Sequence, residues 1–468
     1  VGASEGDLQA RVAELAERLN VPGVAVGVYL KGDEQYAVHG VTGIENPLPI
    51  DRDTTMQIGS TGKTFTATAI MRLAEAGRLE LDAPVRTYVP ELRLQDEAVA
   101  RDVTVLHLLN HTAGWDGDFF EDTGPGDDAL ARYVELMSDL DQVTPLGAVP
   151  SYNNAAVCLA GRVIEKVTGD SFEDSIKTLL LKPLGLDHTF YFPNDVMTRR
   201  FSVGHEEGSD GSLEVYRPWA EPRSASPAGG SIASSVVDQI AWARFHLGDG
   251  TARDGTRVLG TTRLRQMQTP TVDAGGAIGD HIGISWILRE VDGVGLVEHG
   301  GNGAGHESAF VMVPERDFAV TVLTNGPGGD ELGNEVRRWA LQAFLGVVER
   351  DPEPVPRSPG DLVPYAGAYE TIAVFMDVEV KDGALVLNAR VKPEIGARMA
   401  EAGESVPEDP PPFPLGMLEA TGDRFVVPDG PFKGQRGYFI RDEAGGVQGI
   451  HFGGRLATRT KAAPSATS

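Results

Sequence analysis

The 468-residue chain is too long for one ordinary core, and its 41% hydrophobic content is enough for two domains and excludes wholesale disorder. A formal charge of −27 argues against a nucleic-acid partner and against an anionic membrane surface, since both select clustered Lys and Arg. A single cysteine, Cys158, rules out an internal disulfide and any cysteine-built zinc site.

No apolar run reaches the roughly eighteen residues that a membrane-spanning helix needs. Residues 1–7 lack the basic-then-apolar pattern of a signal peptide, and a chain starting at Val1 leaves both a cytoplasmic protein and an exported, leader-cleaved one open. Leu8, Val12, Leu15 and Leu19 share one helical face and predict an opening helix that ends before Pro22. Residues 24–30 and 35–39 read as a hairpin around Lys31-Gly32-Asp33. Residues 60–250 are mostly helical in pattern, and Cys158 reads there as a small buried side chain. Strand patterns return at 283–289, 294–299, 308–313 and 318–323, followed by a helix over 331–345. Strand groups at both ends of this unit predict an α+β fold: one antiparallel sheet flanked by helices, a helical insert, and a cleft between them.

The charged, proline-rich stretch from Glu349 to Pro356 predicts a stiff linker, placed at 347–363, after a first domain of residues 1–346. Short strand patterns at 365–369, 374–380, 384–391, 424–427, 437–440 and 447–452 then predict a small all-β barrel over 364–460. Asp382-Gly383 is a hairpin signature. Residues 401–414 read as irregular and 461–468 as a disordered tail.

Three short motifs carry candidate chemistry. Ser60 and Lys63 in Gly59-Ser60-Thr61-Gly62-Lys63 lie at i and i+3 of a helix start, on one face. There the helix N-terminus favours a developing oxyanion, and a serine hydroxyl needs a neighbouring base to become nucleophilic. Ser151-Tyr152-Asn153-Asn154 precedes a helix over 155–168, with Tyr152 and Asn154 expected to point the same way. A phenol is a weak base alone, but an adjacent cation favours its ionised form, so Tyr152 is a candidate proton relay. His299-Gly300-Gly301-Asn302 ends a strand: the glycines would let a substrate approach the backbone, and the Asn302 N–H would supply a second oxyanion donor. His299 is then a candidate relay or orienting group. Each motif alone has an ordinary explanation: a helix cap with an exposed lysine, an aromatic before a helix, a glycine hairpin.

In this order, S-x-x-K, Y-x-N and H-x-G together resemble the motif set of class C β-lactamases, low-molecular-weight penicillin-binding proteins, D-aminopeptidases and related esterases. Leu108-Leu109-Asn110-His111-Thr112-Ala113-Gly114 is similar to that family's L-L-x-H-T-S-G segment, with Ala113 for serine. Pro227-Ala228-Gly229-Gly230-Ser231-Ile232 resembles its A-G-G-L-x-S segment. The resemblance covers residues 8–345 and implies a β-lactamase/transpeptidase-like fold; the barrel resembles the lipocalin-like domain appended to several members. It implies Ser60 as the acylated serine, Lys63 as its paired lysine, Tyr152 as the relay, Asn154 as the second motif's amide, and His299 with Gly301 as the third motif. His111 is implied to be structural, tying its loop. The family's β-lactamases and transpeptidases carry lysine where this chain has His299, which favours the D-aminopeptidase, amidase and esterase branches.

The expected activity is hydrolysis of small amide, peptide (D-residue-containing included) or ester substrates through an acyl-serine. A β-lactamase, a peptide cyclase or transferase, and a sensor or ligand-binding protein without turnover stay open. The expected partner is a small molecule or short peptide; no cofactor or metal is implied, and oligomeric state is open. Trp115, Phe119 and Phe120 are candidate pocket residues, and the neighbouring Asp116, Asp118, Glu121 and Asp122 read as a solvated acidic loop. Arg441, Arg455 and Arg459 are candidates to approach the first domain, an exposed barrel face being the simpler reading.

Overall fold

The computed structural model describes residues 3–208, 210–401, 406 and 408–460. The expected tail at 461–468 lies outside the described residues.

Alternation decides the first strand. Gly23–Leu30 sends Val24, Val26 and Val28 to one face and Ala25 and Tyr29 to the other, so it is buried on both sides. It sits inside an eight-stranded antiparallel sheet ordered Asp33–Gly40, Gly23–Leu30, Phe318–Thr324, His306–Val313, Val294–Gly303, Ile287–Val291, His281–Ile282 and Val272–Asp273. Strands from both ends of the domain thus meet at its centre, as the sequence predicts. On one face, helices Glu5–Arg18 and Gly329–Ala340 bury Leu8, Val12, Leu15, Leu332 and Val336 against the three valines. The opening helix starts with a capping box between Ser4 and Asp7. From it, the Gln9 amide reaches the outermost strand, donating to the Val38 carbonyl at 2.9 Å and accepting the Val38 N–H at 3.2 Å.

The other face carries the insert. Helices Lys63–Glu75, Asn154–Thr168 and Val236–Leu247 join the largest core with Phe310, Met312 and Leu323 of the sheet. Two strand boundaries differ from expectation. The strand predicted from 283 begins at Ile287, because Ser285 at φ +61° turns the chain and the Gly283 N–H bonds to the Trp286 carbonyl instead. The strand predicted to stop at His299 runs on to Gly303, since Gly300 and Gly301 stay in register with Ala309 and Ser308.

The second unit is a closed barrel of eight antiparallel strands, sealed where Tyr369 pairs with Arg459. Tyr369, Leu385, Leu387, Phe413, Phe425, Phe439 and Ile450 fill its interior. Two of its strands escape sequence reading. Phe413–Met417 is interrupted by Pro414 and Gly416, and Arg455–Arg459 has arginines at both ends. The stretch expected to be irregular from 401 is preceded by a helix, Pro393–Glu401, and ends in the first of these strands.

One half-buried group outside the cleft sets a pH dependence. Burial, reinforced by the charge of Asp330, pushes the Glu307 carboxyl up to about 8. Burial raises Asp330 as well, with Arg337 opposing it. An unfolded glutamate ionises near pH ~4.3, so the stability that protonated Glu307 contributes is complete below that value and is lost as pH rises through the folded one. Urea unfolding is expected to show stability falling on the order of a few kcal/mol between about pH 5 and about pH 8, with Glu307→Gln flattening the slope. An equal slope in both proteins would assign the dependence elsewhere.

Candidate active site

The chain enters the site through a tight turn, Gly59–Gly62, that leads directly into helix Lys63–Glu75. Gly59 adopts φ +48°, and a Cβ there would stand 2.2 Å from the Asn302 carbonyl oxygen. A Cβ on Gly301 would stand 2.2 Å from the Ile58 carbonyl oxygen and 2.5 Å from the Ser60 nitrogen. Two glycines therefore let the first and third motifs touch backbone to backbone, which brings the Ser60 amide against the strand carrying Asn302.

Ser60 and Lys63 then meet as i,i+3 neighbours. The Lys63 side chain is completely buried, and its Nζ donates to Ser60 Oγ at 2.9 Å and to the Ala228 carbonyl at 2.5 Å. That burial removes the reading of a cap with an exposed lysine. The second motif supplies the ring above this pair: Lys63 Nζ lies 4.9 Å from the centroid of Tyr152. Tyr152 is itself buried, stacked on His111 at 4.4 Å between centroids and 6.2 Å from the His299 ring.

Both histidines are neutral. His299 Nδ1 donates to the Gly300 carbonyl at 2.6 Å, which leaves Nε2 as a buried acceptor without a protein partner. Burial and the nearby Lys63 charge push it down to about 4. The same two causes, burial first, hold His111 far below the ordinary range, and its Nδ1 accepts the Asn153 N–H at 3.0 Å, fixing the loop before Tyr152. Burial pushes the Cys158 thiol up to about 12, so it is an inert core side chain.

Asn154 departs from the expected geometry. It is the first residue of helix Asn154–Thr168, and its side-chain NH₂ donates to Asp118 Oδ1 at 3.2 Å. Asp118 in turn accepts both Nε and Nη2 of Arg455, at 3.0 and 2.8 Å, from the last hairpin of the barrel. Part of the acidic loop is thus a docking strip, Asp118 holding Arg455 and Glu121 pairing with Arg398, while Asp122 is exposed as expected. Of the three arginines flagged in the barrel, Arg455 enters the cleft, with Cζ 4.8 Å from the Tyr152 centroid. Arg441 and Arg459 instead bond within the barrel, to Asp423 and Tyr365 and to the Pro364, Ala366 and Val447 carbonyls. Of the candidate pocket aromatics, Trp115 is 2% exposed in the main core, Phe119 packs on Tyr133, and Phe120 is 63% exposed.

Sequence reasoning leaves out three participants. Asn153 caps the helix by accepting the Ala156 N–H and ties Trp115 through its amide; an Asn before a helical pattern is the signal for it. The Ala228 carbonyl that anchors Lys63 is backbone and carries no such signal. The third is Asp118 as the partner of Arg455: the arginine is a candidate to approach this domain, but 337 positions separate the pair and nothing local announces the contact. Among the described residues, no group of three metal-binding side chains is assembled, and no helix is long and apolar enough to cross a membrane.

The sequence profile described as Beta-lactamase matches residues 8–344. The chain belongs to the β-lactamase family of serine hydrolases. Penicillin-binding protein 4 of Amycolatopsis lactamdurans is 36% identical over 372 residues, covering 77% of this chain and 96% of that protein. The crystal structure of SurE superposes with a TM-score of 0.75 at 24% identity, covering 97% of this chain and 99% of that one, so the β-lactamase-like domain and the barrel occur together there too. A D-stereospecific amidohydrolase from Streptomyces sp. matches at TM-score 0.58 and 25% identity, over 74% of this chain and 99% of its own. In this β-lactamase-family chain, the match therefore encloses all three motifs.

Proposed function

We propose that the protein hydrolyses small amide, peptide or ester substrates, peptides with a D-residue at the acyl position among them, through an acyl-Ser60 intermediate. The observation that carries this reading is the 2.9 Å contact of a fully buried Lys63 Nζ with Ser60 Oγ beneath the Tyr152 ring. Ser60 Oγ attacks the substrate carbonyl while its proton passes to the Tyr152–Lys63 pair. The N–H groups of Ser60 and Asn302 receive the developing oxyanion, where one such donor is typically worth about 3 kcal/mol of barrier. Tyr152 returns the proton to the leaving amine or alcohol, and water activated by the same pair releases the acid. Asn154 and Gly301 shape the substrate's bed, and neutral His299 offers an acceptor and not a cation. That neutrality disfavours a bound carboxylate at the third motif and so ranks esters and amides ahead of β-lactams. The likeness to a D-stereospecific amidohydrolase supports including D-residue substrates.

Intact-protein mass spectrometry after exposure to p-nitrophenyl acetate, a fluorophosphonate probe and ampicillin tests this reading. The expected result is an adduct on the native chain with the ester and the phosphonate, and none on Ser60→Ala. An adduct that survives in Ser60→Ala would place the nucleophile elsewhere. An ester adduct that never hydrolyses would favour a sensor.

A further inference from the structure

The barrel meets the cleft at one hairpin, whose turn residues Gly453 and Gly454 take φ +58° and +79°. It is pinned to the second motif by backbone and side chain alike. The Tyr152 N–H donates to the Gly454 carbonyl at 2.8 Å, the Leu456 N–H to Ser151 Oγ at 3.2 Å, and His451 Nε2 lies 2.7 Å from the Pro150 carbonyl oxygen. Arg455 Cζ then lies 4.8 Å, and Lys63 Nζ 4.9 Å, from the centroid of the Tyr152 ring.

The guanidinium cannot hold that place alone. A flexible side chain gains little from one ring contact, and a partly buried cation needs an anion to repay its desolvation. Asp118 is that anion, in a two-point geometry that fixes the plane of the guanidinium. Its side chain is 18% exposed, and it is held from behind: its own N–H donates to Asp116 Oδ1 at 3.1 Å, and the Asp116 N–H to the Asp141 carbonyl at 3.0 Å. The same Oδ1 that takes Arg455 also takes the Asn154 amide. One carboxylate therefore joins the barrel to two residues of the Y-x-N motif.

We propose that Asp118 is a positioning residue, a latch that seats the barrel hairpin on Tyr152 and orients Asn154, so that the second domain sets the far wall of the cleft. This rests on the acyl-serine reading above. Glu121, which pairs with Arg398 farther along the same strip, touches neither motif residue through that pair and is the matched control.

The test uses the full chain carrying Asp118→Asn, Arg455→Gln or Glu121→Gln, each checked for native-like thermal unfolding. Two quantities are read: the rate and kcat-against-KM split of Ser60 acylation by a p-nitrophenyl ester, and hydrogen exchange at the Tyr152 and Leu456 amides. Asp118→Asn and Arg455→Gln are expected to slow acylation between about tenfold and about a hundredfold, mostly in kcat, as small misplacements do. Both amides are expected to exchange at least about tenfold faster, as a locally opened segment does. Glu121→Gln is expected to stay within about twofold of native on both counts. Native exchange rates in Asp118→Asn would overturn the latch. Faster exchange with undiminished acylation would overturn the positioning role, and so would a Glu121→Gln effect as large as that of Asp118→Asn. If the native chain forms no adduct with any acyl donor, the acyl-serine reading falls, while the exchange rates still decide the latch.

Discussion

Lys63→Met is expected to slow acylation of Ser60 on the order of a thousandfold while the protein stays folded. Methionine keeps most of the length of the lysine stem, so the packing around a completely buried side chain survives. What disappears is the donor that reaches both Ser60 Oγ and the Ala228 carbonyl. Losing the first removes the base partner of the nucleophile. Losing the second leaves a buried carbonyl without its donor, at about 1–3 kcal/mol, partly offset because a buried cation is also gone. A single-turnover assay with p-nitrophenyl acetate separates these effects, since thermal unfolding reads the stability cost independently. Acylation at the native rate in a folded Lys63→Met protein would remove Lys63 from the chemistry.

Gly301→Ala is the second large effect, and it acts through distance alone. The new methyl would stand 2.2 Å from the Ile58 carbonyl oxygen and 2.5 Å from the Ser60 nitrogen, both backbone atoms that no rotamer can move aside. The turn Gly59–Gly62 must retreat from strand Val294–Gly303, pulling the two proposed oxyanion donors apart. Losing one such donor slows turnover about a hundredfold to a thousandfold, and overpacking of this kind costs about 1–3 kcal/mol of stability. Ester hydrolysis and thermal unfolding measured side by side check both numbers. A variant destabilised but fully active would show that the two donors need not be held this close.

The parts that could be read from the sequence were those written in local spacing. The valines of Gly23–Leu30, the apolar face of Glu5–Arg18 and the i,i+3 pair of Ser60 and Lys63 each declare themselves within a few residues. Asp382-Gly383 is equally local, and takes φ +52° and +82° as a hairpin of this kind requires. What escaped was set by tertiary partners. Gly300 and Gly301 look like a turn until the neighbouring strand takes them into its ladder. Nothing near Asn154 announces that its amide meets Asp118, and Asp118 looks solvated until Arg455 arrives from the other domain. Long-range charge pairs leave no periodicity to find, so a loop rich in Asp and Glu reads alike whether water or a barrel faces it.

The amide of Gln9 has a consequence beyond the fold of one molecule. By taking both the N–H and the carbonyl of Val38, it occupies two of the outward hydrogen-bonding positions on Asp33–Gly40, and the Glu5 carboxylate takes the neighbouring Tyr36 N–H at 3.5 Å. Those are the groups that a strand from a second molecule would need in order to lengthen the sheet. At the opposite margin the strand Val272–Asp273 offers only two residues, and the closed barrel has no free margin at all. Lengthening of the main sheet by a strand from another copy is therefore hindered at the margin where the longer edge strand lies.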